Sequence, residues 1–191
     1  MGFFGAKKNE GRYRSKVNGV QTKEYVHWKN MLNRCYNPKF QVAQPTYKGC
    51  SVSDNFKNFQ YFAEWCNAQT GFAAGCQLDK DLLDRGNNVY SEDTCIFLPQ
   101  ELNKLLYRGG KSKGLYPVGV NFHKAANAYV AQISINSEAK YLGVYESVTE
   151  AFNVYKTNKE NHIKSIACKY AHCLDPRAYT ALLEWEVSIT D

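Results

Sequence analysis

Residues 118–145 read VGVNFHKAANAYVAQISINSEAKYLGVY, and this stretch decides the architecture of the C-terminal part of the chain. Polar and apolar residues alternate in VGVNFH and in AYVAQISI, and KYLGVY follows a polar turn. Such segments are typical of β-strands. The next residues, SVTEAFNVYKTNKENHIKSIA, have a helical pattern that opens with Ser147 and Glu150 at the spacing of a capping box. The sequence therefore predicts three strands followed by a helix.

The alternation divides the side chains of the first two strands between two faces. One face is predicted to carry the apolar set Val118, Val120, Phe122, Tyr129, Ala131, Ile133 and Ile135. The other is predicted to carry Asn121, His123, Val130, Gln132, Ser134 and Asn136. Asn and Gln pair with adenine edges, and Lys124 and Lys140 could reach phosphate groups. The alternative is a solvated sheet face on a small protein-binding domain.

The same stretch resembles the DNA-binding domain of the ethylene-response-factor type over residues 116–160. The matching motifs are Gly119-Val120, the segment YVAQI at 129–133, the segment LGVY at 142–145, and Thr149-Glu150-Ala151. The resemblance implies a three-stranded antiparallel sheet packed on one helix, with the exposed sheet face in the DNA major groove. The family's sheet is usually rich in Arg and Trp, and this sheet offers neither.

The N-terminal part of the chain is basic, with ten Lys or Arg and two acidic residues in residues 1–48. Residues 101–124 form a second basic zone with five Lys or Arg and one Glu. Basic zones interleaved with aromatic residues favour a polyanionic partner. The residues predicted to contact the DNA backbone are Lys7, Lys8, Arg12, Arg14, Lys16, Arg108, Lys111 and Lys113. The alternative is a solubilising tail and a charged linker.

Residues 77–103, QLDKDLLDRGNNVYSEDTCIFLPQELN, place an acidic, asparagine-rich loop between two predicted strands, with a helix after the second. Taken singly, each polar residue has a structural explanation. Asp79 and Asp81 suit caps or turns, Asn87-Asn88 suits a tight turn, and Asn103 suits an exposed helix position. Their order and spacing favour one site.

This region resembles phage-encoded endonucleases of the HNH, or ββα-metal, class over roughly residues 23–106. The resemblance rests on WKNMLNRCYNP at 28–38, on LDKD at 78–81, on NVYS at 88–91 and on Asn103. It implies Asp79 and Asn103 as ligands of one divalent cation, and hard oxygen ligands suit Mg²⁺ or Mn²⁺. It implies a mobile, homing type of endonuclease.

Lys80 stands where that class has its catalytic His, and a lysine is a poor base at neutral pH. In one interpretation, Lys80 binds the scissile phosphate electrostatically, and the base is Asp81, Tyr90, His27 or hydroxide. In a second interpretation, Lys80 is itself deprotonated because it lies in a desolvated pocket. A third makes the hairpin a DNA-binding relic. The predicted catalytic set is Lys80, Asp81 and Tyr90.

The complete prediction is an α+β protein: an N-terminal helical region with a ββα-metal hairpin, then a three-stranded antiparallel sheet packed on a helix. The predicted segments are a basic flexible arm (1–22), an HNH-like domain (23–108), a linker (109–115), the sheet domain (116–165) and a helical extension (166–191). Helices are expected over 23–36 and from Ser53 or Asp54 to near Gly71.

The predicted activity is metal-dependent hydrolysis of double-stranded DNA by a monomer or homodimer. The seven cysteines have no CxxC spacing, which favours reduced thiols, a cytoplasmic protein and no zinc. No apolar run predicts a membrane span. The alternatives are a catalytically inactive DNA-binding regulator and a protein inhibitor of a host nucleic-acid enzyme.

Overall fold

A computed structural model of the chain describes residues 1–5, 11–106 and 114–190. Within these ranges the protein is a mixed α+β structure with eight α-helices and a three-stranded antiparallel sheet, which confirms the coarse fold prediction. The chain divides into two compact units. The first comprises Met1–Asn103 with His172–Ala181, and the second comprises Lys104–Ala171 with Leu182–Asp191.

The N-terminal residues of the first unit are folded onto it, which differs from the predicted flexible arm. Phe3 exchanges backbone hydrogen bonds with Lys57 and Phe59, and the Phe4 ring packs against Trp28. Residues 16–21 form a hairpin of β1 (Lys16–Val17) and β2 (Val20–Gln21). Its turn is Asn-Gly with both residues at positive φ, the preferred composition for a two-residue hairpin turn.

The first predicted helix is confirmed as α1 (Lys23–Tyr36), which Thr22 caps. A short helix α2 (Pro38–Ala43) follows, because Asn37 both ends α1 and caps α2 through its side-chain oxygen. Pro38 at the first position of α2 fits a site where a backbone N–H has no helical partner.

The second predicted helix is interrupted. After β3 (Ser51–Val52), it consists of α3 (Asp54–Lys57), α4 (Phe59–Asn67) and α5 (Thr70–Ala73). Asn58 has an extended backbone, and its side chain accepts a hydrogen bond from Gln60 N–H, so it caps a new helix. The expectation of one continuous helix was wrong, because a capping asparagine inside an apolar pattern restarts the helix.

The hairpin region contains β4 (Gln77–Asp79), β5 (Val89–Tyr90), β6 (Ile96–Leu98) and α6 (Gln100–Leu106). β4 pairs antiparallel with β6, whereas β5 pairs parallel with β3. The core of this unit is aromatic, and its fully buried members include Phe56, Phe59, Phe62 and Phe97. The chain therefore runs β4, β5, β6 and α6 over residues 77–106, and β5 pairs outside the β4–β6 hairpin.

The second unit contains β7 (Val120–His123), β8 (Ala128–Ile135), β9 (Glu138–Tyr145) and α7 (Val148–Lys169). The strands form an antiparallel sheet in the order β7-β8-β9, and Ser147 caps α7 as predicted. Val120, Ala131 and Ile133 pack with Phe152 and other residues of α7 in one buried cluster. The three strands and the helix predicted from the sequence are confirmed.

Gly119 has a physical reason to be glycine. Its φ is +79°, and a Cβ there would lie 2.1 Å from a ring atom of Tyr155 on α7. The sheet and the helix therefore approach each other closely at the start of β7.

The C-terminal segment carries α8 (Pro176–Leu183), where the Asp175 carboxylate accepts from Arg177 N–H at 2.8 Å. The predicted extension at 166–191 is divided between the two units. His172–Ala181 belongs to the first unit, and the residues on either side of it belong to the second. The linker at 109–115 lies largely outside the described residues. No helix in the described ranges is long and apolar enough to cross a membrane.

Candidate functional site

Asp79 ends β4, and its carboxylate is held by the loop that follows. Oδ1 accepts hydrogen bonds from the backbone N–H groups of Asp81 at 3.0 Å and Leu82 at 2.9 Å. Burial raises the pKa of Asp79, with the charge of Asp81 acting in the same direction, while the two N–H groups oppose it. Asp79 is thus a fixed, partly buried carboxylate at the end of a strand.

Asn103 on α6 contacts the same strand. Its Nδ2 donates to Gln77 Oε1 at 3.3 Å. Gln77 and Asp79 are two residues apart on β4, so their side chains leave the same face of the strand. This hydrogen bond is donated by the side-chain amide nitrogen of Asn103, whereas a cation is bound by the side-chain amide oxygen. A hydrogen bond therefore connects α6, which carries the predicted ligand Asn103, to β4, which carries the predicted ligand Asp79.

Lys80 points into the protein, with a relative exposure of 6%. Its ammonium forms an ion pair with Asp81, donates to the backbone oxygen of Asn87 at 2.7 Å, and lies 5.8 Å from the centre of the Tyr90 ring. These contacts tie the two ends of the 80–90 loop together. They give Lys80 a structural environment rather than one open to a phosphate group.

Asn87 completes this arrangement from the other end of the loop. Its Nδ2 donates to the backbone oxygens of Lys80 at 2.9 Å and Val89 at 2.6 Å, and its Oδ1 accepts from Val89 N–H. In contrast, 57% of the Asp81 side chain is exposed. The Asp81 carboxylate, one of the candidate bases, is therefore accessible to solvent and to a ligand.

Tyr90 is almost completely buried, with a relative exposure of 1%. Its hydroxyl accepts from Arg34 Nη1 at 3.5 Å. Burial raises the pKa of Tyr90 far above its ordinary value, against the opposing effect of Arg34. The phenol is thus held in its neutral form, in which it cannot take a proton as a general base.

His27 lies on the other side of the hairpin. Its ring packs edge-on against Phe72 and Phe97, with centroid distances of 5.8 and 5.2 Å. Phe97 is paired with Leu78, whereas Asp79 is paired with Ile96, so Phe97 and Asp79 project to opposite faces. Burial and the charge of Arg34 lower the pKa of His27. His27 is therefore separated from Asp79 by the hairpin itself.

The sequence did not single out Arg34, which interacts electrostatically with Asp79. Its guanidinium lies 5.3 Å from the centre of the Tyr47 ring, between that ring and the Tyr90 hydroxyl. An arginine in the last turn of α1 has no special sequence signal, because cations are common at helix C-termini. Only the packing of α1 beside β5 shows its relation to the site.

The two predicted ligands, Asp79 and Asn103, carry oxygen donors of the kind that a hard divalent cation prefers. One carboxylate and one amide oxygen are typical of sites in which water and substrate phosphate complete the coordination of Mg²⁺. Zinc sites require several His or Cys ligands. No group of three or more His, Cys, Asp or Glu that could hold a metal occurs within the described ranges.

The sheet of the second unit presents one exposed face. Asn121 pairs with Val130 of β8, which pairs with Val144 of β9. The predicted members Asn121, Gln132 and Ser134 are exposed, and the apolar residues Ala131 and Ile133 of the other face are buried. Val118 precedes β7 and is 48% exposed, so its predicted place on the buried face was wrong.

A β-bulge between β8 and β9 changes which residues share this face. The register shifts between Ala131 and Gln132, so Gln132 is opposite Tyr141 rather than Leu142. Tyr141 is 63% exposed and Val144 is 46% exposed. Sequence reasoning missed both residues, because the simple alternation of a strand places 141 and 144 on opposite faces.

Of the other predicted DNA contacts, His123 lies on this face opposite Ala128, whereas Lys124, Asn136 and Lys140 lie beside it. Asn136 is in the β8–β9 turn with a φ of 53°, and Lys140 is opposite the buried Ile133. His123 ends β7, and its Nδ1 accepts from Ala126 N–H at 3.2 Å. Lys124 is exposed in the turn that follows.

Among the predicted backbone-binding residues of the first unit, Arg12, Arg14 and Lys16 are described, and all three are exposed. Arg14 and Lys16 lie in or beside the β1–β2 hairpin, and Arg12 contacts Glu64 at 3.3 Å. The remaining predicted contacts lie outside the described residues, and they are Lys7, Lys8, Arg108, Lys111 and Lys113.

Comparisons with known proteins give no family for this chain. No protein-family model matches it, and searches of curated proteins and of solved structures find no match.

Proposed function

We propose that the protein is a divalent-metal-dependent DNA endonuclease with a separate DNA-reading sheet. The observation that carries the proposal is the hydrogen bond from Asn103 to Gln77, which ties the helix after the hairpin to the strand that ends in Asp79. A strand carboxylate and a helix amide in this order form the metal-binding core of the ββα-metal class that the sequence resembles. In such a site a divalent cation supplies charge neutralisation of the phosphate and stabilisation of the leaving oxygen.

Asp81 is the general base in this proposal. Its carboxylate follows Asp79 directly and is exposed, whereas Lys80, Tyr90 and His27 are engaged elsewhere in the protein. The ion pair with Lys80 fixes the direction of the Asp81 side chain without covering it. A positioned carboxylate of this kind takes a proton from water as the water attacks.

The test is conversion of supercoiled plasmid to nicked or linear DNA in the presence of Mg²⁺ or Mn²⁺. We expect Asp79→Asn and Asn103→Ala each to reduce cleavage by at least about 100-fold, since the first removes the anionic ligand of the cation and the second removes the amide ligand. Asp84→Asn is the matched control, because Asp84 is an exposed acid of the same loop.

Equal cleavage by wild type and both ligand variants would contradict the proposed metal centre. Cleavage that persists in a chelator would contradict metal dependence. Each variant needs a thermal unfolding curve matching that of the wild type, so that a lost activity is not a lost fold.

A DNA-binding regulator without nuclease activity is the second candidate. The inward position of Lys80 favours it, because the residue that replaces the usual catalytic His is occupied by structural contacts. This candidate predicts salt-sensitive DNA binding with no cleavage under any metal condition.

A further inference from the structure

The exposed face of the β7–β9 sheet carries a particular set of uncharged side chains. Four rungs cross it: His123 with Ala128, Asn121 with Val130 and Val144, Gln132 with Tyr141, and Ser134 with Ala139. None of these sheet positions holds Asp, Glu, Lys or Arg. A solvated surface normally carries charges, so an uncharged, half-apolar face suits a partner that removes it from water.

We infer that this face reads A·T base pairs in the DNA major groove, with Asn121 and Gln132 on adenine and Val130 and Val144 on thymine methyl groups. The inference rests on the proposed DNA binding and specifies the base pairs that the protein selects. Asn and Gln amides match the N6 and N7 edge of adenine, and apolar side chains contact the C5-methyl group of thymine.

The same face lacks the chemistry that reads G·C pairs. Guanine is read most often by Arg or Lys on O6 and N7, and cytosine by Asp or Glu on N4. Among the sheet positions of this face, all of which are described, no such side chain occurs. A serine is present, but a hydroxyl group does not discriminate strongly between bases.

The strand register sets a distance between the two amides that suits base pairs about two steps apart. Gln132 lies two residues beyond Val130, the partner of Asn121, so the two amides are diagonal neighbours. Diagonal neighbours are about 7–8 Å apart, which corresponds to about two base-pair steps of 3.4 Å. Val130 lies between them on the same face and Val144 lies beside Val130, which places methyl groups next to both amides.

The bulge adds Tyr141 to this surface. Gly143 has a φ of 135°, and a Cβ there would lie 2.6 Å from the Tyr145 hydroxyl, so the distorted strand requires glycine. The distortion brings Tyr141 opposite Gln132, where its hydroxyl can reach the phosphate beside the base that Gln132 reads. Lys124 is exposed in the turn that follows β7, where its ammonium can reach a phosphate.

The experiment uses the full chain in a chelating buffer, so that binding is measured without cleavage. Sequences are first selected from a randomised duplex library, and affinities are then measured for a selected duplex and its analogues. Uracil in place of thymine removes the methyl group, and 7-deazaadenine removes the N7 acceptor. We expect A·T-rich selected sites, and about a tenfold loss of affinity with each analogue in the wild type.

The variants locate each contact. Val144→Ala should respond less to uracil than the wild type, and Gln132→Ala should respond less to 7-deazaadenine. Lys124→Ala is the control, and it should weaken binding to every duplex by a similar factor. Gln132→Arg should move the preference at one position from A·T to G·C.

The outcomes separate the inference from the function on which it rests. Salt-sensitive binding with equal affinity for A·T and G·C duplexes would overturn the inference and leave DNA binding in place. An A·T preference that survives both analogues would indicate minor-groove contact and would also overturn it. No salt-sensitive binding to any duplex would overturn both the inference and the proposed DNA binding, and would favour a protein partner for this face.

Discussion

The ammonium of Lys80 and the carboxylate of Asp81, its neighbour in the chain, form an ion pair in which Lys80 is buried and Asp81 is largely exposed. Lys80 also holds the Asn87 carbonyl, so the pair closes the loop that connects β4 to β5. Lys80 therefore has the contacts of a loop anchor.

Lys80→Met tests this structural role. The substitution leaves the partly buried Asn87 carbonyl without its Lys80 donor, so we expect the free energy of unfolding to fall by about 2 kcal/mol in chemical denaturation. Lys57→Met is the control, since Lys57 makes a surface ion pair with Asp54 and its loss should lower the free energy of unfolding much less than Lys80→Met does. Cleavage lost without any loss of stability would instead return Lys80 to a catalytic role.

Tyr90→Phe tests whether the Tyr90 hydroxyl is a buried structural group or a general base. The variant removes the partner of Arg34, and we expect a loss of about 1 kcal/mol in stability. The rate of plasmid cleavage and its pH dependence should stay the same, because burial keeps the phenol neutral. A general base would cost about 100-fold or more in rate, so a loss of that size would refute the structural assignment.

Glu92 makes the stability of the first unit depend on pH. Burial alone would raise its pKa, but hydrogen bonds from Asn55 at 2.6 Å, Tyr61 at 3.0 Å and Ser53 at 3.3 Å lower it overall. A lowered pKa in the folded state means that this stabilisation is present above the unfolded value of about 4.3 and is lost as pH falls through the folded value.

Glu92→Gln should therefore destabilise the protein by about 1 kcal/mol at neutral pH, and the difference from wild type should shrink in acid. Denaturant titrations at neutral and acidic pH measure this. Glu64→Gln is the control, because the Arg12–Glu64 pair is exposed on both sides. A difference between wild type and Glu92→Gln that does not change with pH would contradict the linkage.

Gly119→Ala and Gly19→Ala distinguish steric conflict from backbone strain. Both glycines have positive φ, but an added Cβ meets nothing within 4 Å at Gly19 and meets the Tyr155 ring at Gly119. We expect a loss of about 1 kcal/mol for Gly19→Ala and roughly 2 kcal/mol or more for Gly119→Ala in thermal unfolding. Equal losses would mean that α7 moves away from the sheet at little cost.

The thiols should react with Ellman's reagent in two separate phases. Cys168 is exposed, whereas the other six cysteines are buried. Burial raises the pKa of Cys76 to about 11 and that of Cys35 to about 12, which suppresses their reactive thiolate forms. One thiol should therefore react rapidly in the native protein, and Cys168→Ser should abolish that phase. Rapid reaction of several thiols would indicate that the first unit opens readily.

The sequence by itself determined the secondary structure wherever the signal was local. Alternation over 120–135 gave two strands, and Ser147 and Thr22 began helices because a capping side chain acts within three residues of its own position. The strands β4 and β6 and the helix α6 at 77–106 were also readable, since turn residues separate the apolar runs, but β5 between them was not predicted.

Only the tertiary structure decided where the side chains of the sites lie. Lys80 turns inward because a carbonyl seven residues away and the Tyr90 ring receive it, and neither contact follows from local sequence. Tyr141 joins the exposed face of the β7–β9 sheet because a bulge, which Gly143 permits, shifts one strand against another. Such positions depend on the packing of distant segments, whereas strand and helix patterns depend on neighbours in the chain.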